Sequence, residues 1–308
     1  MTKNVLITGG CGFIGVNLAA AMQARGDFNI TVLDNESLGV RENLDADFNG
    51  RFIKGDVTDE KALADATKGA DVVVHLAAHT RVIDSIEMPE RNFTDNVIGT
   101  FRVLEACRAA GVKRFINAST GGAILGEAPA PVHEGLVPAP LSPYGASKLC
   151  AEGYCSAYSA SYGIACASLR FSNIYGPRSY HKDSVVARFL KQILAGETLI
   201  IYGDGSQIRD YLYVGDLVAG IIKAIDSDCA GVFQLGAGKP TTLNELLTIL
   251  ERVVSKERMP KIVYKDARAG EVHTTWCNVE KARGAFGYDP KTPLEDGVRA
   301  TWEWYLDR

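Results

Sequence analysis

The chain has 308 residues, of which 46% are hydrophobic and 23% charged. That balance excludes disorder, collagen-like repeats and a coiled coil, and the length suits two domains or one large α/β unit with an added lobe. With 33 Lys+Arg against 37 Asp+Glu, the formal net charge of -4 argues against a general electrostatic affinity for nucleic acid or an anionic membrane.

Seven cysteines are scattered along the chain without a Cys-x-x-Cys pair, and none of the five histidines has metal-ligand spacing. Free thiols in a reducing compartment are therefore expected, and no metal. Met1-Thr2-Lys3-Asn4 runs straight into a strand, and no apolar run approaches about 18 residues. A soluble, cytoplasmic protein is the expectation.

In chain order, β-branched runs predict strands at Asn4–Thr8, Asn29–Leu33, Arg51–Lys54, Val72–His75, Arg114–Ala118 and Ala165–Arg170. Amphipathic stretches between them predict helices at Gly15–Arg25, Glu60–Thr67, Thr94–Ala110 and Tyr144–Tyr162. Strand and helix in regular alternation predict a doubly wound parallel α/β sheet, covered on both faces. Val72-Val73-Val74 has no polar alternation, as a strand buried on both sides requires. After Arg170 the rhythm loosens and Gly and Pro punctuate it. Residues 1–171 are thus expected to form the large α/β domain and 172–308 mainly a smaller α/β lobe, with chain near 212–226 returning to the large sheet.

The first strand runs into Gly9-Gly10-Cys11-Gly12-Phe13-Ile14-Gly15 and then a helix. Glycines here let the backbone turn sharply and approach a pyrophosphate, which the helix N-terminus attracts. Asp34 ends the second strand, 22 residues past Gly12, where a carboxylate accepts both ribose hydroxyls and repels a 2′-phosphate. NAD is favoured over NADP, with Arg41 downstream the one feature pointing the other way. Asp56 after the third strand suits the adenine edge, and Leu76-Ala77-Ala78 after the fourth leaves room for a ribose.

Tyr144 and Lys148 stand four apart on a predicted helix, so both project from one face. A phenol titrates near about 10, and a neighbouring ammonium favours its phenolate. Asn117-Ala118-Ser119-Thr120-Gly121-Gly122 ends the fifth strand and offers hydroxyls to a substrate oxygen.

Together with Asn96-Val97-Ile98-Gly99-Thr100, Arg170-Phe171-Ser172-Asn173-Ile174-Tyr175-Gly176-Pro177, Gly203-Asp204-Gly205, Arg209-Asp210-Tyr211 and Arg268-Ala269-Gly270-Glu271, these motifs resemble the extended short-chain dehydrogenase/reductase family, and within it the nucleotide-sugar 4-epimerases. The resemblance covers essentially the whole chain. It implies a Rossmann sheet, bound NAD, a UDP-sugar substrate and a homodimer. It implies a catalytic triad of Thr120, Tyr144 and Lys148. Cofactor contacts are implied at Gly9, Gly12, Phe13, Ile14, Gly15, Asp34, Asn35, Asp56, Val57, Leu76, Ala77, Ala78 and Lys148. Substrate contacts are implied at Ser119, Thr120, Asn173, Arg209 and Arg268, the last three on the diphosphate. Counting forward from Phe115-Ile116 puts Thr120 in the hydroxyl position; counting backward from Gly126 puts Gly121 there. The strand side is preferred, with Ser119 as the substitute. Leu125 stands where the family usually has Tyr.

Dehydratases of the family carry an acidic pair where this chain has Gly121-Gly122, and its reductases generally use NADPH, which Asp34 disfavours. C4 epimerisation through a transient 4-keto sugar is the preferred expectation, with dehydration or reduction of a nucleotide sugar as the alternative reactions and a non-enzymatic NAD-sensing module as the rival of another class. Lys182, in Tyr180-His181-Lys182-Asp183, is a candidate partner for a uronate carboxylate, which keeps UDP-glucuronate beside the neutral and N-acetylated hexoses.

Overall fold

The computed structural model describes residues 2–267 and 272–308. Thirteen strands and twelve α-helices are described, and seven of the strands make one parallel sheet. These are β1 (Lys3–Thr8), β2 (Phe28–Asp34), β3 (Arg51–Lys54), β4 (Val72–His75), β5 (Arg114–Thr120), β6 (Ala165–Phe171) and β11 (Gly231–Leu235), in the order β11-β6-β5-β4-β1-β2-β3. The expected doubly wound sheet is present, and its order reverses between β1 and β4. In such sheets a crevice opens at that switch, beyond the carboxyl ends of the strands.

Helices α1 (Phe13–Arg25), α2 (Glu60–Thr67), α3 (Val82–Glu87), α4 (Pro89–Phe93), α5 (Gly99–Ala110), α6 (Gly121–Leu125) and α7 (Pro143–Tyr162) connect the first six strands. Successive residues of β1 serve opposite cores, as the pleat demands. Val5 and Ile7 pack with α1 and the later helix α9 (Val214–Asp226), while Leu6 packs with Val73, Phe115 and the helices α2, α5 and α7 on the other face. The stretch expected as one helix, Thr94–Ala110, opens with a π-turn at Thr94–Ile98 before α5 begins.

The remaining strands form three small pairs: β7 (Asn173–Tyr175) with β10 (Tyr211–Tyr213), β8 (Leu199–Tyr202) with β13 (Ile262–Lys265), and β9 (Ile208–Arg209) with β12 (Thr241–Thr242). Helices α8 (Val185–Ala195), α10 (Leu243–Val254) and α12 (Leu294–Leu306) enclose a separate core with Leu199, Ile201 and Tyr211. Helix α11 (Glu280–Phe286) lies against β11.

Candidate active site

The β1–α1 turn is shaped by close approach. Gly9 sits at φ +68°, and a Cβ there would fall 2.6 Å from the Ala77 nitrogen. A Cβ on Gly15 would fall 2.5 Å from the Gly10 Cα, so α1 can lie against the loop only without one. Gly12 caps α1 without a side-chain bond, and the first turn, which includes Phe13 and Ile14, holds no acidic residue, so its N–H groups stay available to an anion. Asp34 is buried at the end of β2 and accepts from the Cys11 N–H at 2.9 Å and the Glu36 N–H at 2.8 Å. Burial raises its carboxyl above the usual value, and those two backbone donors work against the rise.

Asn35 donates to Asp56 at 2.7 Å, tying the ends of β2 and β3 together. Val57 is buried, and Leu76 donates its N–H to the Thr8 carbonyl at 3.1 Å. Ala77 follows against Gly9, and Ala78 is half-buried. Arg41 lies over the Phe52 ring, 5.5 Å from its centroid. A turn that any Cβ would fill, a helix N-terminus and a carboxylate on β2 form one rim, and these residues fit a dinucleotide.

The sequence around Tyr144 explains its placement. Ser142 caps α7 by accepting the Gly145 N–H at 3.2 Å, and Pro143 takes the first helical position, where its missing N–H costs nothing. The next residue is therefore fixed at the helix mouth, where the Tyr144 N–H donates to Ser85 Oγ at 3.2 Å. One turn on, the buried Lys148 donates from Nζ to the Ala118 carbonyl at 3.0 Å. Thr120 ends β5 with its hydroxyl within hydrogen-bonding reach of the Tyr144 phenol. Burial pushes that phenol up to about 12, with the Thr120 contact pulling the other way. Burial lowers the Lys148 ammonium to about 8, and the Cys155 thiol and Glu152 carboxylate raise it again in part.

Ser119 does not share Thr120's surroundings. It is buried and donates its hydroxyl to Glu152 Oε1 at 2.6 Å, so its one proton is already committed. β5 runs through Thr120, and Gly121 begins the short helix α6.

Two cavities lie on the substrate side. One, of about 160 Å³, is lined by Thr120, Gly121, Gly122, Phe171 and Thr275 among others. The other, of about 170 Å³, is lined by Val185, Phe189, Ile200, Tyr202 and Gln207 among others. Asn173 and Arg209 line both. Asn173 Nδ2 donates to the Asp210 carbonyl at 3.3 Å, and Arg209 donates to the Ile208 and His273 carbonyls at 2.9 and 3.0 Å. Arg268 falls outside the described residues. Lys182 is half-buried on the segment before α8, its pKa lowered by burial and then by Arg81, and its ammonium meets no hydrogen-bond or ion-pair partner among the described residues. Arg81 pairs with Asp183 and so ties this segment to the start of α3, the helix whose Ser85 meets Tyr144.

Sequence reading missed Thr275, which reaches the cavity from the chain after residue 271, and Glu152 and Arg170, which form a buried ion pair at 2.7 Å. Spacing held a signal for Glu152 alone, four residues past Lys148 on the same helix face.

Residues 5–236 match the model of the NAD dependent epimerase/dehydratase family, and the chain belongs to that family. A UDP-glucose 4-epimerase of Mycolicibacterium smegmatis is 35% identical over 315 residues, with 98% of each chain covered. The crystal structure of UDP-glucose 4-epimerase from Thermotoga maritima with UDP-glucose matches at a TM-score of 0.93 and 37% identity, covering 99% of both chains. That of the Thermus thermophilus UDP-glucose 4-epimerase with NAD matches at 0.90 and 36%, again covering 99% of both.

Proposed function

We propose that this NAD-dependent enzyme epimerises a UDP-hexose at C4, through a transient 4-keto sugar, with Thr120, Tyr144 and Lys148 as its catalytic residues. The observation that carries the reading is the sharing of Asn173 and Arg209 by the two cavities. A diphosphate held there, with arginine's fork on its oxygens, puts the hexose in the cavity bounded by Thr120 and the nucleoside in the other. Arg268 is assigned to the same diphosphate.

Tyr144 takes the proton of the C4 hydroxyl, Thr120 holds that oxygen in line, and Lys148 supplies the positive charge that favours the phenolate. NAD, held by the β1–α1 turn and by Asp34, supplies when bound a hydride acceptor at C4 that returns the hydride to the other face. Gly121 and Gly122 carry no proton to expel a hydroxyl, which speaks against dehydration, and they leave the sugar room to turn. Tyr144 and Lys148, both present, speak against an NAD-sensing module without chemistry.

The substrate is a neutral or N-acetylated hexose in this reading. UDP-glucuronate is the second reading, favoured by the Lys182 ammonium, which lies near Arg81 and has no partner among the described residues. The proposed division is a cofactor domain of residues 1–171, joined by 212–226, and a substrate lobe made mainly of 172–308. The packing of α9 on the sheet supports it. A homodimer is supported by α7, whose only charged residues, Lys148 and Glu152, are buried, while Gly153, Tyr154, Ala157 and Ala160 face outward. Among the described residues no helix is long and apolar enough to cross a membrane, and seven free cysteines support a cytoplasmic setting.

The test is to denature purified protein, identify the released nucleotide, and assay the native enzyme on UDP-glucose, UDP-N-acetylglucosamine and UDP-glucuronate. NAD and interconversion of one C4 pair are expected. NADP in place of NAD, or no turnover of any of the three, would sink the reading.

A further inference from the structure

We propose that Glu152 is a positioning residue for catalysis: from the inward face of α7 its carboxylate grips Ser119 and Arg170, and thereby places Thr120 and balances the charge of Lys148. The inference rests on the Tyr144–Lys148 reading given above.

Glu152 lies one helical turn beyond Lys148 and two beyond Tyr144. Its Oε1 accepts from Ser119 Oγ at 2.6 Å and from Arg170 Nε at 2.8 Å, and its Oε2 accepts from Arg170 Nη2 at 2.7 Å. Ser119 and Arg170 are partners in the β5–β6 register, so one carboxylate joins α7 to two strand ends. All three residues are buried. Stability is a poor reason for such a pair, because apolar residues of similar size usually do as well or better in a core. Its place in the fold is the better reason. Ser119 immediately precedes Thr120, so fixing the Ser119 side chain fixes the backbone that aims the Thr120 hydroxyl at Tyr144.

Glu152 also bears on the charge of its helix neighbour Lys148. Lys148 is 4% exposed. Besides burial, the groups acting on its ammonium are the Cys155 thiol and the Glu152 carboxylate of α7, and the ammonium in turn acts on His75 of β4. Glu152 is the one carboxylate among them, and the two side chains hold adjacent residues of β5, Lys148 the Ala118 carbonyl and Glu152 the Ser119 hydroxyl.

Glu152→Gln keeps the shape and an acceptor for Ser119 while removing the charge. Without that charge the ammonium is lost at lower pH, so the alkaline limb of the kcat–pH profile should move down by roughly half to one unit. Turnover at neutral pH should fall about tenfold, with KM for the UDP-hexose within about twofold of wild type. Because Arg170 is left unpaired in that variant, Glu152→Gln/Arg170→Met is measured too and should show the same displacement of the limb. Ser119→Ala should lower kcat several-fold with the limb in place. A limb that stays put in both Glu152 variants, or wild-type kcat in both, overturns the proposal. Tyr144→Phe assayed alongside separates the two levels. If it is inactive while the Glu152 variants match wild type, only the positioning role falls. If it is fully active, the catalytic reading falls and takes this one with it.

Discussion

Tyr144 carries a phenol that burial pushes up to about 12, so at neutral pH it keeps its proton unless positive charge is brought against it. Lys148, lowered to about 8, is mostly protonated at pH 7 and loses its charge as pH rises past that value. Tyr144→Phe should therefore leave UDP binding intact and lower kcat by roughly a hundredfold or more. Lys148→Met should move the acidic limb of the pH–rate profile upward, since more alkali is then needed to ionise the phenol. Near-normal turnover in Tyr144→Phe would mean that the base is another residue. Thr120→Ala should cost more than Ser119→Ala, because only the Thr120 hydroxyl reaches the phenol while Ser119 is held by Glu152. Tyr144 and Lys148 were legible because two residues four apart in a helix have one relative geometry. Which hydroxyl stands beside the phenol was harder to read, because counts from the strand and from Gly126 disagree by one residue, and it takes the folded chain to put the Thr120 hydroxyl there. Lys182 is the open test of substrate charge. If it meets a C6 carboxylate, that charge-assisted bond contributes about 1.5–3 kcal/mol, and Lys182→Ala should lower kcat/KM on UDP-glucuronate by about tenfold to more than a hundredfold while sparing UDP-glucose. Equal ratios of the two sugars in wild type and variant would dispose of the uronate reading.

Strands of the large sheet announced themselves through runs such as Val72-Val73-Val74, which only a site buried on both faces accommodates. The edge strand β11 did not, since Gly231-Val232-Phe233-Gln234-Leu235 is short and pairs with β6, about sixty residues earlier in the chain. The two- and three-residue strands of the smaller lobe leave no periodic trace at all, because their partners come from separate loops. The π-turn at Thr94–Ile98 was also invisible: a helical pattern does not reveal one widened turn. The β1–α1 turn is the opposite case, because its glycines answer contacts that leave no space for a side chain. Gly15→Val places a branched side chain against the Gly10 backbone, where even a Cβ would come within 2.5 Å. Overpacking of this kind costs about 1–3 kcal/mol and should push α1 away from the turn. The expected result is a lower Tm and protein purified with little NAD, whereas Gly284→Ala on the exposed side of α11 should lower neither. Full NAD content in Gly15→Val would show that the turn tolerates a side chain and does not hold the dinucleotide as argued.

At the scale of the whole molecule, one buried network runs from the end of β1 to the start of α7. The Thr100 hydroxyl donates to the Asn96 carbonyl at 2.6 Å, so it can only accept from His75 Nε2, 3.0 Å away. His75 Nδ1 is then unprotonated and accepts from the Thr8 hydroxyl at 2.7 Å. Asn96 continues the network to Ser147 Oγ at 3.0 Å, and Ser147 donates to the Tyr144 carbonyl at 2.8 Å. Every position for a second imidazole proton is taken, and the ring is fully buried. Burial, helped by the Lys148 charge, accordingly lowers His75 from 6.5 to about 3. Above pH 6.5 neither folded nor unfolded chain protonates this ring, so it adds no pH dependence. Between 6.5 and about 3 the unfolded chain binds a proton that the folded one refuses, and stability falls with pH. At pH 5 that loss amounts to about 2 kcal/mol, one and a half pH units at about 1.36 kcal/mol each. His75→Gln retains an amide donor and acceptor but cannot titrate. It should be less stable than wild type at pH 8 for want of fit, and the gap should narrow steadily as the pH is lowered to 5. Chemical denaturation of both proteins at pH 8, 6.5 and 5 decides it: a gap that stays constant across the series would show that His75 takes up a proton within the fold and that the tautomer assigned here is wrong.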